Sequence, residues 1–390
     1  MSSDAKRPTA NRGADAQPAR PRPPACFPAD EYIARIRRLQ SLLRAKELDG
    51  AFFFDPLLRL YYTGFDSTNG LLAVDARDGA TFLTDPRYID AARAQLPFLD
   101  CALFQRGDKL DAQYRKISRK WKAIGLEGGM PADDLDKVLD RLSDGRGDRE
   151  WEDVSAIARR QRAVKSARER KAMRAACAAN DRMMVEVQRA ARPGMTEWEI
   201  RNLVRRFADT FGQDESFDAI VCVGASAAEP HHHPGLEPLT EGQSLLLDIG
   251  LKLDHYCADL TRTCFFGKPG KLFREVHSVV LAANRLAASK LRPGMTCGEL
   301  DAIARSYIEK AGFGKYFTHS LGHGVGIEIH EAPTAAPNVP AKLEPGMVVT
   351  IEPGIYIPGK VGVRIEDVAL VTRDGCEILS SAPRDWDISK

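Results

Sequence analysis

The chain has 390 residues, of which 44% are hydrophobic and 28% charged, and its formal net charge at pH 7 is +2. This composition is typical of a folded protein large enough for two domains, and so small a net charge argues against nucleic acid as a partner. The sequence shows neither the roughly 18-residue apolar run of a membrane span nor the apolar segment of a secretion signal. We therefore expect a cytoplasmic protein without membrane association, whose eight cysteines, none in a C-x-x-C pair, are reduced.

The first part of the chain predicts a disordered tail followed by an α/β layer domain. Residues 1–25 are rich in Pro, Ala, Arg and Asp and cannot offset the entropy of ordering. Residues 31–50 have the apolar spacing of a helix that ends at Gly50. Strand patterns follow at 51–54, 69–76, 80–85 and 122–128, and helical patterns at 86–96 and 131–142. This alternation predicts an α/β layer domain over residues 26–158.

The second part of the chain contains an internal repeat. After a long charged helical stretch, RPGMTEWEI at 192–200 recurs as RPGMTCGEL at 292–300, and each copy carries the capping box that begins a helix. LTEGQSLLLDIG at 239–250 likewise corresponds to LEPGMVVTIEPG at 343–354. Two copies of a helix-then-strand unit predict an α+β domain with pseudo-two-fold symmetry over residues 159–390.

Four acids lie on strand-like runs of this repeat. Asp248 and Asp259 lie on the two arms of one predicted β-hairpin, and Glu352 and Glu366 lie on the arms of a second. Each acid alone fits a salt bridge or a strand-end turn, but four acids on symmetry-related strands should converge, and buried carboxylates need a proton, a cation or a metal. Together with His323, they favour two divalent ions such as Mn²⁺, Co²⁺ or Fe²⁺, the arrangement used for two-metal hydrolysis, over a structural zinc.

His323 lies among three glycines in the segment SLGHGVGIEIHE. A loop with solvated histidines is one explanation. The other is that Gly322, Gly324 and Gly326, which lack a Cβ, let the loop bring His323 onto a metal and leave room for a peptide backbone beside it.

These residues, with the motifs SLGHGVGIEIHE, TIEPGIY and GVRIEDVALVT, resemble the pita-bread metallopeptidases, a family that includes Xaa-Pro aminopeptidases, prolidases, methionine aminopeptidases and the creatinase group. The resemblance covers about residues 165–385. Residues 26–155 are similar to the creatinase-type N-terminal domain of the proline-specific branch, which methionine aminopeptidases lack. The resemblance implies a pita-bread catalytic domain, a homodimer, and two divalent metal ions per subunit, Mn or Co first and Fe or Zn as alternatives.

The resemblance also implies a role for each residue of the cluster. Asp248 would chelate one metal ion, His323 and Glu352 would ligate the other, and Asp259 and Glu366 would bridge the two. Glu352 is also implied as the proton shuttle.

Further residues are implied around the metal ligands. Three histidines would hydrogen-bond the substrate or the tetrahedral intermediate: His231, His319 and His330. In EPHHHPG, which alone would be interpreted as a solvated loop, His232 and His233 have no assigned role. Arg364, two residues before Glu366, is implied to orient that carboxylate.

The activity implied is hydrolysis of the N-terminal Xaa-Pro bond of short peptides, by an Xaa-Pro aminopeptidase or, alternatively, an Xaa-Pro dipeptidase (prolidase). A dipeptidase needs a cation for the substrate's C-terminal carboxylate, and residues 331–351 contain Lys342 but no arginine, which favours the aminopeptidase. Two other functions stay open on the same fold. A non-catalytic peptide- or protein-binding module should lack some of the metal ligands, and a creatinase-type amide hydrolase is disfavoured by the intact set.

Overall fold

The protein is described here by a computed structural model that covers residues 27–143 and 149–387. The predicted tail at residues 1–25 lies outside the described residues. Within them, no helix combines the length and the apolar composition that crossing a membrane requires.

Helices and strands alternate in the first part of the chain, as predicted. The elements are α1 (Ala29–Ala45), β1 (Gly50–Phe53), α2 (Pro56–Thr63), β2 (Leu71–Asp75), β3 (Ala80–Thr84), α3 (Ile89–Gln95), β4 (Asp100–Leu103), α4 (Asp108–Ile117), β5 (Ala123–Leu126), α5 (Ala132–Leu142), β6 (Glu150–Asp153) and α6 (Ser155–Ala163). Their strands form one mixed sheet in the order β4-β3-β2-β1-β5-β6. The predicted domain boundary at residues 158 and 159 falls within α6 and stays a prediction.

This part differs from the prediction at the end of α1 and in four elements that the prediction omits: α2, β4, α4 and β6. The first helix ends at Ala45, because Gly50 already belongs to β1 and pairs with Asp75 on one side and Ile124 on the other. Helix α2 is one of the omitted elements, and its residues are apolar almost throughout. It is capped by the side chain of Asp55, which accepts a hydrogen bond from the N–H of Leu57 at 2.8 Å.

The second part of the chain is built from two similar helix pairs and the strands that follow them. The elements are α7 (Ala167–Ala190), α8 (Glu197–Phe211), β7 (Asp214–Glu215), β8 (Ile220–Val223), a 3₁₀ turn (Gly224–Ala228), β9 (Ser244–Ile249), β10 (Leu251–Leu253), β11 (Tyr256–Cys257), β12 (Leu260–Phe265), α9 (Lys271–Lys290), α10 (Cys297–Lys310), a second 3₁₀ turn (Gly314–Tyr316), β13 (Gly322–Gly324), β14 (Glu331–Ala335), β15 (Val348–Ile351), β16 (Gly354–Ile357), β17 (Val361–Arg364), β18 (Asp367–Val371) and β19 (Cys376–Ile378). The predicted capping boxes at Thr196 and Thr296 begin α8 and α10.

The pseudo-two-fold repeat is visible in how helices contact strands. Asn180 of α7 donates its side-chain N–H to the carbonyl of Ile249 at 3.1 Å, and Asn284 of α9 donates to the carbonyl of Ile351 at 2.8 Å. Both asparagines are buried, and both fix the last residue of a central strand. The two halves therefore hold equivalent strand ends against equivalent helices, behind the acids identified in the sequence.

The predicted acid-bearing hairpins are longer than expected. Strands β9 and β12 pair antiparallel up to Ile249 and Leu260, and the chain between them forms the smaller hairpin β10–β11. In the second half, β15 and β18 pair in the same way, with β16–β17 inserted between them. The prediction of four acids on four strands is corrected accordingly. Among them only Asp248 lies within a strand, while the others lie at junctions where the chain leaves or re-enters the main sheet.

All cysteines among the described residues are free thiols, as predicted, and most are buried: Cys101, Cys177, Cys222, Cys257, Cys264, Cys297 and Cys376. Cys26 lies outside the described residues.

Candidate metal centre

The acids and His323 predicted to act together do lie together. Asp259, His323 and Glu366 each present a ligand atom within 4.8 Å of the others. The Nε2 atom of His323 is 3.5 Å from Asp259 Oδ2 and 3.4 Å from Glu352 Oε1. Asp248 belongs to the same cluster, because its charge raises the pKa values of the neighbouring acids. The strand junctions of both halves therefore meet at one point.

The tautomer of His323 follows from its hydrogen bond. Its Nδ1 atom is 3.1 Å from the carbonyl oxygen of Gly324, so Nδ1 carries the proton and donates it. Burial lowers the pKa of His323 to about 4, so the ring is neutral at pH 7. The lone pair of Nε2 then faces the carboxylate oxygens of Asp259 and Glu352. Acceptors facing one another at these distances require a proton or a cation between them.

Two carboxylate oxygens of the cluster are left free for a ligand by the residues that the structure describes. Oδ1 of Asp248 and Oε1 of Glu366 are buried, and neither has a hydrogen-bond partner within the part of the chain that the structure describes. The other oxygen of each is held firmly. Asp248 Oδ2 accepts a hydrogen bond from Arg364 Nη2 at 2.5 Å, and Glu366 Oε2 accepts one from Thr261 Oγ1 at 2.7 Å. One oxygen of each acid is fixed by the protein, which leaves the other for a ligand.

The pKa values of the acids show the electrostatic cost of this cluster. Burial, followed by the charges of Asp248 and Glu352, raises the pKa of Asp259 well above its usual range. Burial also raises the pKa of Glu366 well above its usual range, with Asp259 the next cause. For Glu352, burial raises the pKa to about 7, although the Arg364 guanidinium acts in the opposite direction. Divalent cations would offset the mutual repulsion of these acids.

This chemistry fits the metal ions that the sequence predicts. The orphaned oxygens, the neutral imidazole and the hard oxygen-rich donors are the ligand types that divalent metals take. The residues that would hold the ions are Asp248, Asp259, His323, Glu352 and Glu366. The assignment of each residue to one metal ion or both stays a prediction.

Arg364 contacts a different acid from the one predicted. Its direct carboxylate partner is Asp248, and it reaches Glu366 only through Thr261, whose hydroxyl oxygen is 3.1 Å from Arg364 Nε. Its Nη1 atom also donates to the hydroxyl oxygen of Tyr356 at 2.7 Å. One buried guanidinium thus orients acids from both halves of the repeat.

The three histidines predicted to contact substrate have different environments. His330 is exposed, and its ring centroid is 4.2 Å from that of His323. His231 is exposed in a turn whose Pro230 carbonyl oxygen is 3.4 Å from Arg364 Nη1. Both therefore lie beside the cluster with solvent-accessible rings. Their role toward a substrate stays a prediction.

His319 has no free ring nitrogen. Its Nδ1 atom donates to the carbonyl of Ser320 at 2.7 Å, and its Nε2 atom accepts a hydrogen bond from the hydroxyl of Tyr356 at 2.9 Å. Burial is the first cause that lowers the pKa of His319 to about 4, and Arg364 is the next. In this arrangement the neutral ring supports Tyr356, which in turn accepts from Arg364. Hydrogen bonding to a substrate would require it to give up one of these contacts.

The neighbouring histidines without an assigned role also differ. His232 lies 2.8 Å from Glu197 Oε2 and 3.0 Å from Glu229 Oε2, and these hydrogen bonds raise its pKa although burial opposes them. His233 is exposed.

Gly322 and Gly324, on either side of His323, allow neighbouring strands to pack closely. His323 lies in strand β13, and a Cβ on Gly322 would overlap the carbonyl oxygen of Thr350, while one on Gly324 would overlap that of Ala332. The prediction that the glycines bring His323 to the acids agrees with this geometry. The prediction that they leave room for a peptide backbone was wrong at these two positions, since neighbouring strands fill the space.

Three further residues of the centre were missed by the sequence analysis: Thr261, Thr350 and Tyr356. Thr350 accepts from the backbone N–H of His323 and donates to Glu352 Oε1, both at 2.9 Å. All three side chains carry a hydroxyl. For Thr261 and Thr350 the available signal was their position two residues from an acid, in DLTR and TIE, because alternate residues of an extended chain lie on the same face. Tyr356 has no such signal.

The sequence also matches known families. It fits the description of metallopeptidase family M24 over residues 171–373 and that of the creatinase/prolidase N-terminal domain over residues 35–164. The chain belongs to metallopeptidase family M24. It combines the creatinase N-terminal domain with the pita-bread domain, as predicted, and is a metallo-exopeptidase.

Three relatives whose names state an activity align with nearly the whole of this chain. The Xaa-Pro dipeptidase of Pyrococcus furiosus is 31% identical over 354 residues, which span 90% of this chain and 99% of the relative. The structure of an Xaa-Pro dipeptidase from Bacillus anthracis superposes with a TM-score of 0.85 at 33% identity and covers 90% of this chain and 98% of that one. An X-Pro aminopeptidase from Thermotoga maritima MSB8 is also similar, with a TM-score of 0.81 at 30% identity over 87% of this chain and 97% of that one.

Proposed function

We propose that this M24 enzyme is an Xaa-Pro dipeptidase that uses two divalent metal ions, Mn or Co, to cleave dipeptides with proline in the second position. The observation that supports this most directly is the cluster of four acids and a neutral imidazole, in which two buried carboxylate oxygens have no partner among the described residues. The similarity to named dipeptidases supports the choice of substrate.

In the proposed reaction, different residues of the chain have different roles. When bound, the metal ions supply Lewis-acid activation of the scissile carbonyl and of water. Arg364 orients Asp248 by its 2.5 Å hydrogen bond. Glu352, whose pKa burial raises to about 7 in the metal-free protein, is the carboxylate to which we assign uptake and return of the proton. His231 and His330 offer accessible imidazoles to the peptide.

An Xaa-Pro aminopeptidase is the second candidate, the one that the sequence favoured. A dipeptidase needs a cation for the free carboxylate of proline, and residues 331–351 supply only Lys342. Lys342 is exposed beside Glu299 at the start of α10, and its backbone bridges Thr296. The similarity to an X-Pro aminopeptidase supports this candidate too.

Product analysis on defined peptides tests the proposal. The metal-stripped enzyme, resupplied with Mn²⁺ or Co²⁺, is incubated with Ala-Pro, Ala-Pro-Ala and Met-Ala-Ser, and the products are separated by liquid chromatography. Cleavage of Ala-Pro with little cleavage of Ala-Pro-Ala supports the dipeptidase, and the reverse supports the aminopeptidase. Turnover of Met-Ala-Ser alone overturns the specificity for proline.

Two variants test whether turnover depends on the acid cluster. Asp259→Asn removes a carboxylate of the cluster and should abolish turnover, whereas Asp100→Asn changes an exposed acid of the N-terminal sheet and should not. No turnover by the folded wild-type protein with either metal would instead favour a binding module or a small-amide hydrolase.

A further inference from the structure

A cavity that none of the five cluster residues lines lies against the N-terminal domain and reaches Arg159, Arg162 and Glu328. Its volume is about 730 Å³, within the range of small-molecule sites. Helices α5 and α6 form two of its walls, and Phe54, Met130 and Val138 give it apolar surface. It extends to Glu328, in the segment between His323 and His330.

The interior of this cavity contains a buried carboxylate with an unused oxygen. Glu127 is only 6% exposed and lines the cavity. Its Oε1 atom accepts hydrogen bonds from the backbone N–H groups of Phe54, at 3.0 Å, and Asp55, at 2.6 Å. Its Oε2 atom is buried and has no hydrogen-bond partner within the described ranges. A buried acceptor without a partner is costly, so a donor supplied by a ligand would stabilise it.

The charge of Glu127 favours a cationic donor. Burial raises its pKa to about 7, with the negative charge of Asp55 the next cause, so the ionised form lacks sufficient compensation. The guanidinium of Arg59 lies near but donates to backbone carbonyls of Gly70 and Ser67 instead. An ammonium group seated against Oε2 would supply both a hydrogen bond and a positive charge.

Three cations line the solvent-facing side, or mouth, of the cavity, where Asp134 also lies. Lys137, Arg141 and Arg159 line it and have their charged ends near solvent. The ion pairs of the first two are weak: Lys137 pairs with an exposed aspartate, and Arg141 is 3.5 Å from its carboxylate partner. An anionic group at the mouth would therefore find several cations within reach of their flexible side chains.

We infer that this cavity binds a zwitterionic amino acid or dipeptide, with its ammonium group on Glu127 and its carboxylate near Lys137, Arg141 and Arg159. The apolar wall accommodates the side chain between the two charges. The occupant also contacts Arg162, which holds Glu328 and Glu331 at 2.5 and 2.6 Å on either side of His330. The inference does not depend on the proposed dipeptidase function, because binding is measured directly.

Calorimetric titration of the metal-loaded enzyme tests the site. The probes are L-leucine and Gly-Leu, which contain no proline, with 4-methylpentanoate and isoamylamine as analogues of leucine that lack the ammonium or the carboxylate group. We expect saturable binding of leucine or Gly-Leu, at least tenfold weaker binding of isoamylamine, and the weakest binding for 4-methylpentanoate. Binding of the amino acid but not the dipeptide, or the reverse, identifies which of the two is the occupant.

Variants assign the binding to the cavity. Glu127→Gln keeps the acceptor for the two backbone N–H groups but removes the charge, and should weaken binding at least tenfold while peptidase activity is unchanged. Met130→Trp fills the cavity without altering a charge and should have the same effect. Glu150→Gln, an exposed change on β6, is the control. Absence of saturable binding to the wild type overturns the inference, as does binding that survives Glu127→Gln and Met130→Trp but is lost in Asp259→Asn.

Discussion

At the scale of single residues, Arg364 connects the two halves of the metal centre. Its guanidinium uses three nitrogen atoms to contact Asp248, Tyr356 and Thr261. Each contact uses an N–H group on a different nitrogen atom, and the single ammonium group of a lysine cannot reproduce this arrangement. The sequence suggested that Arg364 matters, but it placed the contact on the nearby Glu366. Asp248 is 116 residues away, and only the fold brings the two together.

Replacing Arg364 should therefore lower the affinity for metal ions in a protein that still folds. Arg364→Lys keeps a positive charge near Asp248 and should lose about tenfold in Mn²⁺ affinity, while Arg364→Met should lose closer to 100-fold. Titration calorimetry with Mn²⁺ measures both, and circular dichroism checks that the variants are folded. Equal Mn²⁺ affinities in the wild type and both variants would contradict a positioning role.

Glu352 provides a second prediction at this scale. In the metal-free protein burial raises its pKa to about 7, and the proposed mechanism assigns the proton transfer to this carboxylate. Glu352→Gln removes that capacity and should lower kcat on Ala-Pro by about 10²-fold or more, with a much smaller change in KM. Steady-state kinetics with saturating metal separates the two constants. Glu344→Gln, an exposed change, is the control, and a variant that alters only KM would contradict the proton-transfer role.

At the scale of elements, a buried cluster of charged side chains joins the α6–α7 junction to the start of strand β14, next to His330. Glu331 follows His330 and begins β14, and its carboxylate contacts Arg162 at 2.6 Å and Lys165 at 2.5 Å. All three side chains are at most 5% exposed. Positive charges of Arg162 and Lys165 lower the pKa of Glu331 although burial opposes them. This cluster ties the N-terminal domain to the strand beside His323.

Breaking this buried cluster should destabilise the protein strongly. Glu331→Gln removes the carboxylate that pairs with Lys165 and leaves Arg162 with only the half-exposed carboxylate of Glu328. We expect a loss of about 3 to 5 kcal/mol in the free energy of unfolding. The matched control is Glu344→Gln, which breaks the exposed Arg160–Glu344 pair at 2.6 Å and should cost about 1 kcal/mol or less. Urea unfolding monitored by circular dichroism compares them. Similar losses for both variants would show that burial does not decide the strength of these pairs.

The elements also show what the sequence could and could not predict. The capping boxes of α8 and α10 depend on residues three apart, so Thr196 and Glu199 were enough to predict a helix start. The repeat aligned Asp248 with Glu352 without any knowledge of the fold. The inserted hairpins and the contact of Lys165 with Glu331, 166 residues apart, depend on how distant segments pack and leave no local pattern.

At the scale of the whole molecule, metal binding is coupled to protonation of the cluster. In the metal-free protein the pKa values of Asp259, Glu352 and Glu366 are higher in the folded state than in the unfolded chain. At a pH between the two values, the folded state keeps protons that the unfolded chain has released. For Glu352 this stabilises the folded state fully below about pH 4.3, and the stabilisation is lost as the pH rises through about 7. His323, whose pKa is lowered to about 4, acts in the opposite direction between about pH 4 and 6.5. Above that range, and within this cluster, the acids alone make the metal-free protein less stable at higher pH.

Bound divalent ions should reverse this loss, and their affinity should rise with pH. A ligand carboxylate must release its proton to bind a metal, so deprotonation of Glu352 alone should raise Mn²⁺ affinity roughly fivefold between pH 6 and 7, with more from Asp259 and Glu366. His323 is neutral throughout this interval and adds no dependence. Titration calorimetry in two buffers of different ionisation enthalpy counts the protons released, and Glu366→Gln, which cannot release one, should release fewer. An Mn²⁺ affinity that is constant between pH 6 and 8, without proton release, would show that the acids are already ionised in the metal-free protein.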